Sequence, residues 1–135
     1  MTARPWLGLI VIALALSGCQ IGPSVGGFHP ATGPAGITVH VVTQQKSKYD
    51  GELLEARDTA LLVLAYHKVQ LVPFAVIRTA GFEQRSSLDF GGGSAPSGRW
   101  LSQIRQLARF PAGLTPELLQ RLLQANAQAA PEVVR

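Results

Sequence analysis

The only cysteine of the chain, Cys19, has the most distinctive chemistry of its residues. A lone cysteine cannot form an internal disulfide, so its thiol is free, joins a second chain or carries a modification. Arg4 precedes an apolar run from Trp6 to Leu16, and the small residues Ser17 and Gly18 lie directly before the cysteine. A positive start, a short apolar core and small residues at the cleavage site are typical of a secretory signal.

The tetrapeptide Leu16-Ser17-Gly18-Cys19 resembles the lipobox of bacterial lipoproteins. In that family the thiol receives a diacylglycerol, and the signal peptide is then cleaved at the bond that corresponds to Gly18–Cys19. The resemblance implies lipidation of Cys19 and attachment to a membrane through that lipid. An uncleaved transmembrane anchor is the alternative, but the apolar run is shorter than the roughly 20 residues that a spanning helix needs.

The residue after the cysteine, Gln20, bears on which membrane is expected. In enterobacterial lipoproteins an Asp at this position favours retention in the inner membrane. By that resemblance we expect a lipid anchor in the cell envelope, at the periplasmic face of the outer membrane rather than at the inner membrane.

The histidines and the Gly-rich run do not form a recognisable site. His29, His40 and His67 lie far apart and none is close to the cysteine, whereas metal ligands usually occur at short, regular spacings. The run Gly91-Gly92-Gly93-Ser94 lacks the Lys that follows in a phosphate-binding loop. We therefore expect neither a metal ion nor a cofactor.

Carboxylates are the remaining candidates for catalysis. Glu52 and Glu55 could act as an acid and a base, but strand alternation predicts that they lie on opposite faces. Asp58 is expected to be a turn residue. No serine lies beside a base and an oxyanion hole in a recognisable pattern. We therefore expect no catalytic residues, and the chain is predicted not to be an enzyme.

Five short segments have the composition of β-strands. Alternating apolar and polar residues begin at Ile37, and the later segments are rich in branched, aromatic and leucine side chains. The predicted strands cover residues 37–41, 49–56, 59–66, 68–72 and 74–80. Their connections are short, as in antiparallel neighbours joined by tight turns. A meander of this kind is predicted to curl into a small barrel, which removes most exposed edges.

Two helices are predicted after the strands. The apolar stripe of the first consists of Trp100, Ile104, Leu107 and Ala108. The second begins at Thr115-Pro116, because Thr is a good N-cap and Pro suits the first helical position. Its apolar side consists of Leu118, Leu119, Leu122 and Leu123. We expect a helical hairpin that packs on the barrel or on a partner.

The chain divides into five parts by composition. They are a signal peptide (1–18), a flexible Gly- and Pro-rich tether (19–36), a β-barrel (37–90), a Gly-rich linker (91–98) and a helical hairpin (99–135). The length of 135 residues allows one small domain with appendages. The predicted fold class is therefore mainly β with α.

Tyr49, Gly51, Leu53 and Asp58 resemble the first motif of Sm-like proteins in type and spacing. The resemblance covers about residues 37–80 and implies a five-stranded antiparallel Sm-like or SH3-like barrel. In that family the Gly permits a sharp bend, the Leu enters the core and the Asp lies in the following loop. Leu61 stands where RNA-binding members have Asn, so nucleic-acid binding is not the leading expectation.

The charges add a second functional hypothesis. The net charge of +4 comes from scattered basic residues and not from a continuous block, which is unlike a typical nucleic-acid patch. The leading hypothesis is a non-enzymatic binding or structural module that is anchored to the envelope and contacts a protein partner or a second copy of itself. The alternative is binding of nucleic acid or another polyanion through a residual Sm-like surface. The face expected for it comprises Lys46, Lys48, Arg57, Lys68 and Arg78.

Overall fold

The computed structural model describes residues 35–135. The expected signal peptide, the lipidation and cleavage residues Gly18 and Cys19, and all but the last two residues of the expected tether lie outside the described residues. Within residues 35–135 the strands are β1 (Thr38–Thr43), β2 (Lys48–Ala56), β3 (Ala60–Ala65), β4 (Lys68–Pro73), β5 (Ile77–Phe82), β6 (Phe90–Gly91) and β7 (Glu132–Val133). The helices are α1 (Gly98–Leu107) and α2 (Pro116–Ala125). No helix in this part of the chain is both long and apolar enough to cross a membrane.

The strands form one mixed sheet in the order β6-β5-β1-β2-β3-β4-β7. Neighbours are antiparallel except for β7, which runs parallel to β4. The expected closed five-stranded barrel is therefore not formed. The barrel prediction was wrong because the free edges of β4 and β5 are each taken by a two-residue strand, instead of by one another.

Both faces of the sheet are buried over β2, β3 and β4. One face holds the inner cluster, which includes Val39, Leu53, Leu61, Val63 and Ile77. The opposite face holds the smaller outer cluster, which is built on Leu54, Leu62, Val69 and Leu123. Because successive side chains point to opposite faces, β3 needs apolar residues at nearly every position, and its sequence ALLVLA supplies them.

The two helices pack against different faces, so the expected hairpin is also corrected. Leu101, Ile104 and Leu107 of α1 belong to the inner cluster, whereas α2 contributes Leu123 to the outer cluster. Between the helices the chain passes β2, where the Arg109 and Phe110 amides donate to the carbonyls of Leu53 and Leu54. These two hydrogen bonds, of 2.9 and 3.0 Å, carry the chain from one face to the other.

Capping at the helix starts follows the residue types. Thr115 accepts a hydrogen bond from the Leu118 amide and Pro116 occupies the first turn of α2, so the predicted start of this helix is confirmed.

In α1 the buried stripe runs through Leu101, whereas Trp100 is 42% exposed. The prediction that Trp100 belongs to the buried stripe was therefore wrong by one position.

A bulge in β2 changes the faces of its carboxylates. The register between β2 and β3 shifts between Leu53 and Glu55, so Glu52 pairs with Leu64 and Glu55 pairs with Leu62. Leu62 and Leu64 both belong to the outer face, which puts Glu52 and Glu55 on the same face. The prediction of opposite faces was wrong, because it assumed unbroken alternation through Leu54.

Candidate functional site

The four residues of the Sm-like motif are placed along β2 and the turn after it. Leu53 is fully buried in the inner cluster, and Tyr49 packs against the same cluster. A Cβ atom on Gly51 would overlap the carbonyl oxygen of Leu64 on β3, so glycine is required there by the close approach of the neighbouring strand. Asp58 is exposed in the β2–β3 turn. The motif residues build the sheet and do not converge on a shared cleft.

Asp58 and the carboxylates on β2 pair with arginines. Arg105 donates to Asp58 and also to the carbonyl oxygen of Ala56. Arg109 makes a bidentate pair with Glu52, in which Nε lies 2.6 Å from Oε1 and Nη2 lies 2.8 Å from Oε2. These pairs hold the segment at the end of α1 against β2, so their observed role is to brace the fold.

The histidines lie apart in the described residues. His40 on β1 is 2.9 Å from the Asp50 carboxylate on β2, and both side chains are largely exposed. His67 lies in the β3–β4 turn, and His29 lies outside the described residues. Between residues 35 and 135, no group of three or more His, Cys, Asp or Glu side chains is arranged to hold a metal ion.

The five residues of the expected basic face do not form a single surface. Lys46, Lys48 and Lys68 lie at the end of the sheet that carries the β1–β2 and β3–β4 turns. Arg57 lies in the β2–β3 turn and pairs with Glu55. Arg78 lies on β5 beside the bulge opposite Val42 and Thr43, so β1 separates it from Lys48.

We call Lys46, Lys48, Tyr66, His67 and Lys68 the basic tip. Two turns build it, and its β1–β2 turn is closed by hydrogen bonds from the Thr43 amide to Ser47 O and from the Lys46 amide to Thr43 O, both 2.9 Å. The tip is held together by a hydrogen bond of 3.2 Å from the Tyr66 hydroxyl to the carbonyl oxygen of Lys48.

The β3–β4 turn is strained. Ala65 pairs with Lys68, which leaves Tyr66 and His67 as a two-residue turn with φ values of 53° and 59°. A positive φ at both central residues defines the type I′ hairpin turn, which favours Asn-Gly or Asp-Gly. Side chains with a Cβ atom are disfavoured in this left-handed region, and a bulky aromatic residue is an outlier there.

The β1–β2 turn shows the same departure. Lys46 has a φ of 65° in the left-handed region, where glycine is the usual residue. Three neighbouring positions that favour Gly or Asn are therefore occupied by Lys, Tyr and His. This choice lowers the stability of the turns, and it places long side chains at their tips.

The basic tip is exposed and positively charged. Tyr66 is 65% exposed, the highest value among the large hydrophobic residues described. Lys68 pairs with Glu132 at 3.2 Å, whereas Lys46 and Lys48 have no carboxylate within ion-pair distance in the described part of the chain. The exposed Tyr66 side chain therefore lies on the same tip as Lys46 and Lys48, whose ammonium groups remain available to a ligand.

Sequence reasoning identified the three lysines but missed Tyr66 and His67 as parts of a site. It placed Tyr66 at the end of the predicted strand 59–66, whereas the structure has Tyr66 and His67 as the turn. A two-residue connection between strands that contains no Gly, Asn or Asp was the available signal, because such a turn requires strained backbone.

No protein-family model, curated protein or solved structure matches this chain. What the basic tip can bind is therefore inferred from its own groups. Ammonium groups attract phosphate and carboxylate, the phenol ring offers a flat apolar surface with a polar end, and the imidazole can donate or accept a hydrogen bond.

Proposed function

We propose that the mature protein is a lipid-anchored, non-enzymatic binding module of the bacterial cell envelope that uses the basic tip to hold a polyanionic partner. The single observation that carries the binding role is the strained display of Tyr66 and His67 in a type I′ turn. Strained backbone of this kind is concentrated at functional sites, and here it displays two large, exposed side chains.

Charge defines the class of partner. Lys46 and Lys48 are exposed and lack carboxylate partners among residues 35–135, so binding an anion removes no existing ion pair. Tyr66 lies beside them and can contact sugar rings or the apolar border of a lipid headgroup. The partner therefore carries repeated phosphate or carboxylate groups on a polymer or a membrane surface.

The proposed membrane location depends on the residues at the start of the chain. Arg4, the apolar run and the Leu16-Ser17-Gly18-Cys19 tetrapeptide support cleavage before Cys19 and attachment of lipid to its thiol. Gln20 in place of Asp supports the outer membrane.

The test of the anchor is mass spectrometry of the N-terminus of protein isolated from the native host. We expect a mature chain that begins at Cys19 and carries fatty acyl groups, and we expect Cys19→Ser to accumulate as an uncleaved precursor. An unmodified thiol in the native protein would overturn the anchor. An intact residue 1 would support the transmembrane alternative.

The test of the binding surface compares two pairs of substitutions that change the net charge equally. Lys46→Gln with Lys48→Gln removes two charges from the basic tip, and Arg99→Gln with Arg121→Gln removes two exposed charges elsewhere. Binding is measured by sedimentation with peptidoglycan sacculi and, separately, with phosphatidylglycerol vesicles at low salt. We expect only the tip pair to weaken binding, by about fivefold for each lysine.

The two probes distinguish the possible sources of negative charge. Preferential binding to sacculi identifies a carboxylate-bearing polymer, and preferential binding to vesicles identifies phosphate headgroups. Binding is expected to weaken as salt rises, because the exposed charges become screened. Equal losses in both variant pairs would reject the basic tip, since they would show only the effect of net charge.

Nucleic-acid or other polyanion binding through a residual Sm-like surface is the second candidate. The strand order β5-β1-β2-β3-β4 and the positions of Gly51 and Leu53 support an Sm-like relationship for this part of the sheet. Lys48 and Arg78 lie on the two strands that flank β1, so this candidate requires an RNA that crosses β1 to contact both residues. A short RNA that binds more tightly than either envelope probe, with sensitivity to Arg78→Gln, would favour this candidate.

A further inference from the structure

The outer edge of β4 is covered by the C-terminal segment 128–134. The edge-facing positions of β4 are Val69, Leu71 and Pro73, because the alternate residues bond to β3. A bare edge exposes unpaired backbone groups that can pair with another strand. Each edge-facing position is satisfied in a different way, and the first two depend on the C-terminal segment.

Val69 is paired with a side chain that imitates a peptide group. The Gln128 carboxamide accepts a hydrogen bond of 2.6 Å from the Val69 amide and donates one of 3.2 Å to the Val69 carbonyl oxygen. This arrangement reproduces the donor and acceptor that a neighbouring strand would present. The backbone of Val69 could therefore pair in the same way with a peptide group of another extended strand.

Leu71 is paired with the end of the chain. The Val134 amide donates to the Leu71 carbonyl oxygen at 2.9 Å, and β7 lies in register with Gln70 and Leu71. Val134 is only 4% exposed and belongs to the inner cluster. Pro73 has no amide hydrogen, so the last edge position requires no acceptor partner.

The connection between this segment and the body of the domain is strained. After α2, Asn126, Ala127 and Gln128 form a Schellman motif, in which the Ala127 amide donates to Gln124 O and the Gln128 amide donates to Leu123 O. Ala127 occupies the position usually held by glycine and has a φ of 53°. The return of the chain from α2 onto β4 thus depends on an unfavourable backbone conformation.

The strand beneath this segment also contains a buried polar atom without a hydrogen-bond partner. Gln70 is 3% exposed, and its Oε1 atom is buried without a hydrogen-bond partner. Gln70 lies in register with Glu132 of β7. Closure of residues 128–134 onto their own β4 therefore requires a strained backbone at Ala127, next to a strand that already holds an unsatisfied buried oxygen.

We propose that the edge of β4 is a strand-accepting interface, filled in the monomer by residues 128–134 of the same chain and in a dimer by residues 128–134 of a second copy. The occupant is a second copy because its segment brings the same complementary groups, namely the Gln128 amide, Val134 and Glu132. Exchange lets Ala127 leave the left-handed conformation. This inference is independent of the lipid anchor and of the basic tip.

The direct test joins two chains across the exchanged edge. Lys68 and Glu132 form an ion pair at 3.2 Å, so Lys68→Cys in one chain and Glu132→Cys in another bring two thiols together only after exchange. The two full-length proteins also carry Cys19→Ser, so that the native thiol cannot react. They are mixed at high concentration and treated with a short bismaleimide. We expect covalent heterodimers from the mixture and far fewer from either protein alone.

The hinge offers opposite substitutions that shift the equilibrium in opposite directions. Ala127→Gly fits the left-handed conformation and is expected to favour the monomer, whereas Ala127→Val opposes that conformation and is expected to favour the dimer. The dimer dissociation constant, measured by sedimentation equilibrium, should rise roughly tenfold for each of the two relaxed hinges in the glycine variant.

Two outcomes would overturn the exchange. One is a chain that remains monomeric at millimolar concentration, with no heterodimer from the mixed cysteine variants. The other is a dimer that forms equally with Gly or Ala at position 127 and gives no crosslink, since it would use another surface. If the Val variant does not fold, the Gly variant and the crosslink still decide between these results.

Discussion

Replacing the β3–β4 turn by Asn-Gly tests whether its strain serves a function. The double variant Tyr66→Asn and His67→Gly substitutes the residues that a type I′ turn favours, at the two positions whose φ values are 53° and 59°. A left-handed conformation costs roughly 1–2 kcal/mol per ordinary residue, and relief at two positions stabilises the fold by about 2 kcal/mol. Loss of the exposed bond from the Tyr66 hydroxyl to Lys48 subtracts roughly 0.5 kcal/mol.

The expected net gain is therefore about 1.5 kcal/mol, which corresponds to a rise of roughly 6–12 °C in Tm for a domain of this size. The same variant should lose binding to whichever envelope probe the native protein sediments with. Thermal unfolding by circular dichroism and sedimentation with that probe measure the two effects on one preparation. His67→Gly alone serves as a control that relaxes the turn and keeps the Tyr66 ring.

Opposite movement of stability and binding is the signature of a functional turn. A double variant that is more stable and binds as tightly as the native protein would show that Tyr66 and His67 are dispensable. It would remove the observation on which the proposed binding role depends. A double variant that is less stable would show that the backbone strain was overestimated or that Tyr66 packs more strongly than its exposure suggests.

Three further substitutions test the architecture. Gln70→Met should raise the free energy of unfolding in urea by about 1 kcal/mol, because it removes a buried oxygen without a partner. A loss of stability would indicate that a bound water or a second conformer satisfies the Gln70 oxygen in the native protein. Gly51→Ala should lower that free energy by at least about 2 kcal/mol, since its Cβ would overlap Leu64 O, and an unchanged urea midpoint would contradict this. Glu52→Ala should cost about 2 kcal/mol by leaving Arg109 unpaired, and Glu52→Gln should cost less, because it still offers an acceptor to Arg109.

The first five strands and the two helices were predictable because each carries a local pattern, whereas the two-residue strands β6 and β7 were missed. Alternation and short turn segments located β1 to β5, and the Thr115-Pro116 pair located the start of α2. The beginning of β5 was placed three residues too early, since Phe74–Val76 form a 3-10 turn after Pro73. Local propensity indicates that an element exists more reliably than it indicates its ends.

The faces of β2 were harder to predict because one residue breaks the alternation. The bulge at Leu54 reverses the assignment of every side chain beyond it, so Glu55 joins Glu52 on one face. Nothing in the local sequence marks the bulge. At the bulge the carbonyls of Leu53 and Leu54 accept hydrogen bonds from the Arg109 and Phe110 amides, which lie more than fifty residues further along the chain.

The basic tip was difficult to predict from the sequence for a different reason. Its lysines were recognisable as charges, but their meeting with Tyr66 depends on which turns share one end of the sheet. That arrangement follows from the pairing of β2 with β3, and the strain follows from the length of the connection. Composition could identify these residue types, but only the register brings them to one place.

Whether the sheet closes into a barrel was also not predictable, because it depends on residues that are distant in the sequence. Alternation determines which side chains are buried, but edge groups decide whether β4 meets β5. The groups that fill the β4 edge come from Gln128 and Val134, about sixty residues further along the chain, and they include a side-chain amide that no strand pattern contains. An edge satisfied in this way has no need of β5. The segment that satisfies this edge nevertheless follows a hinge at Ala127, whose left-handed backbone conformation is unfavourable for alanine. The contact that keeps the sheet open is therefore also the one that the proposed exchange passes to a second copy.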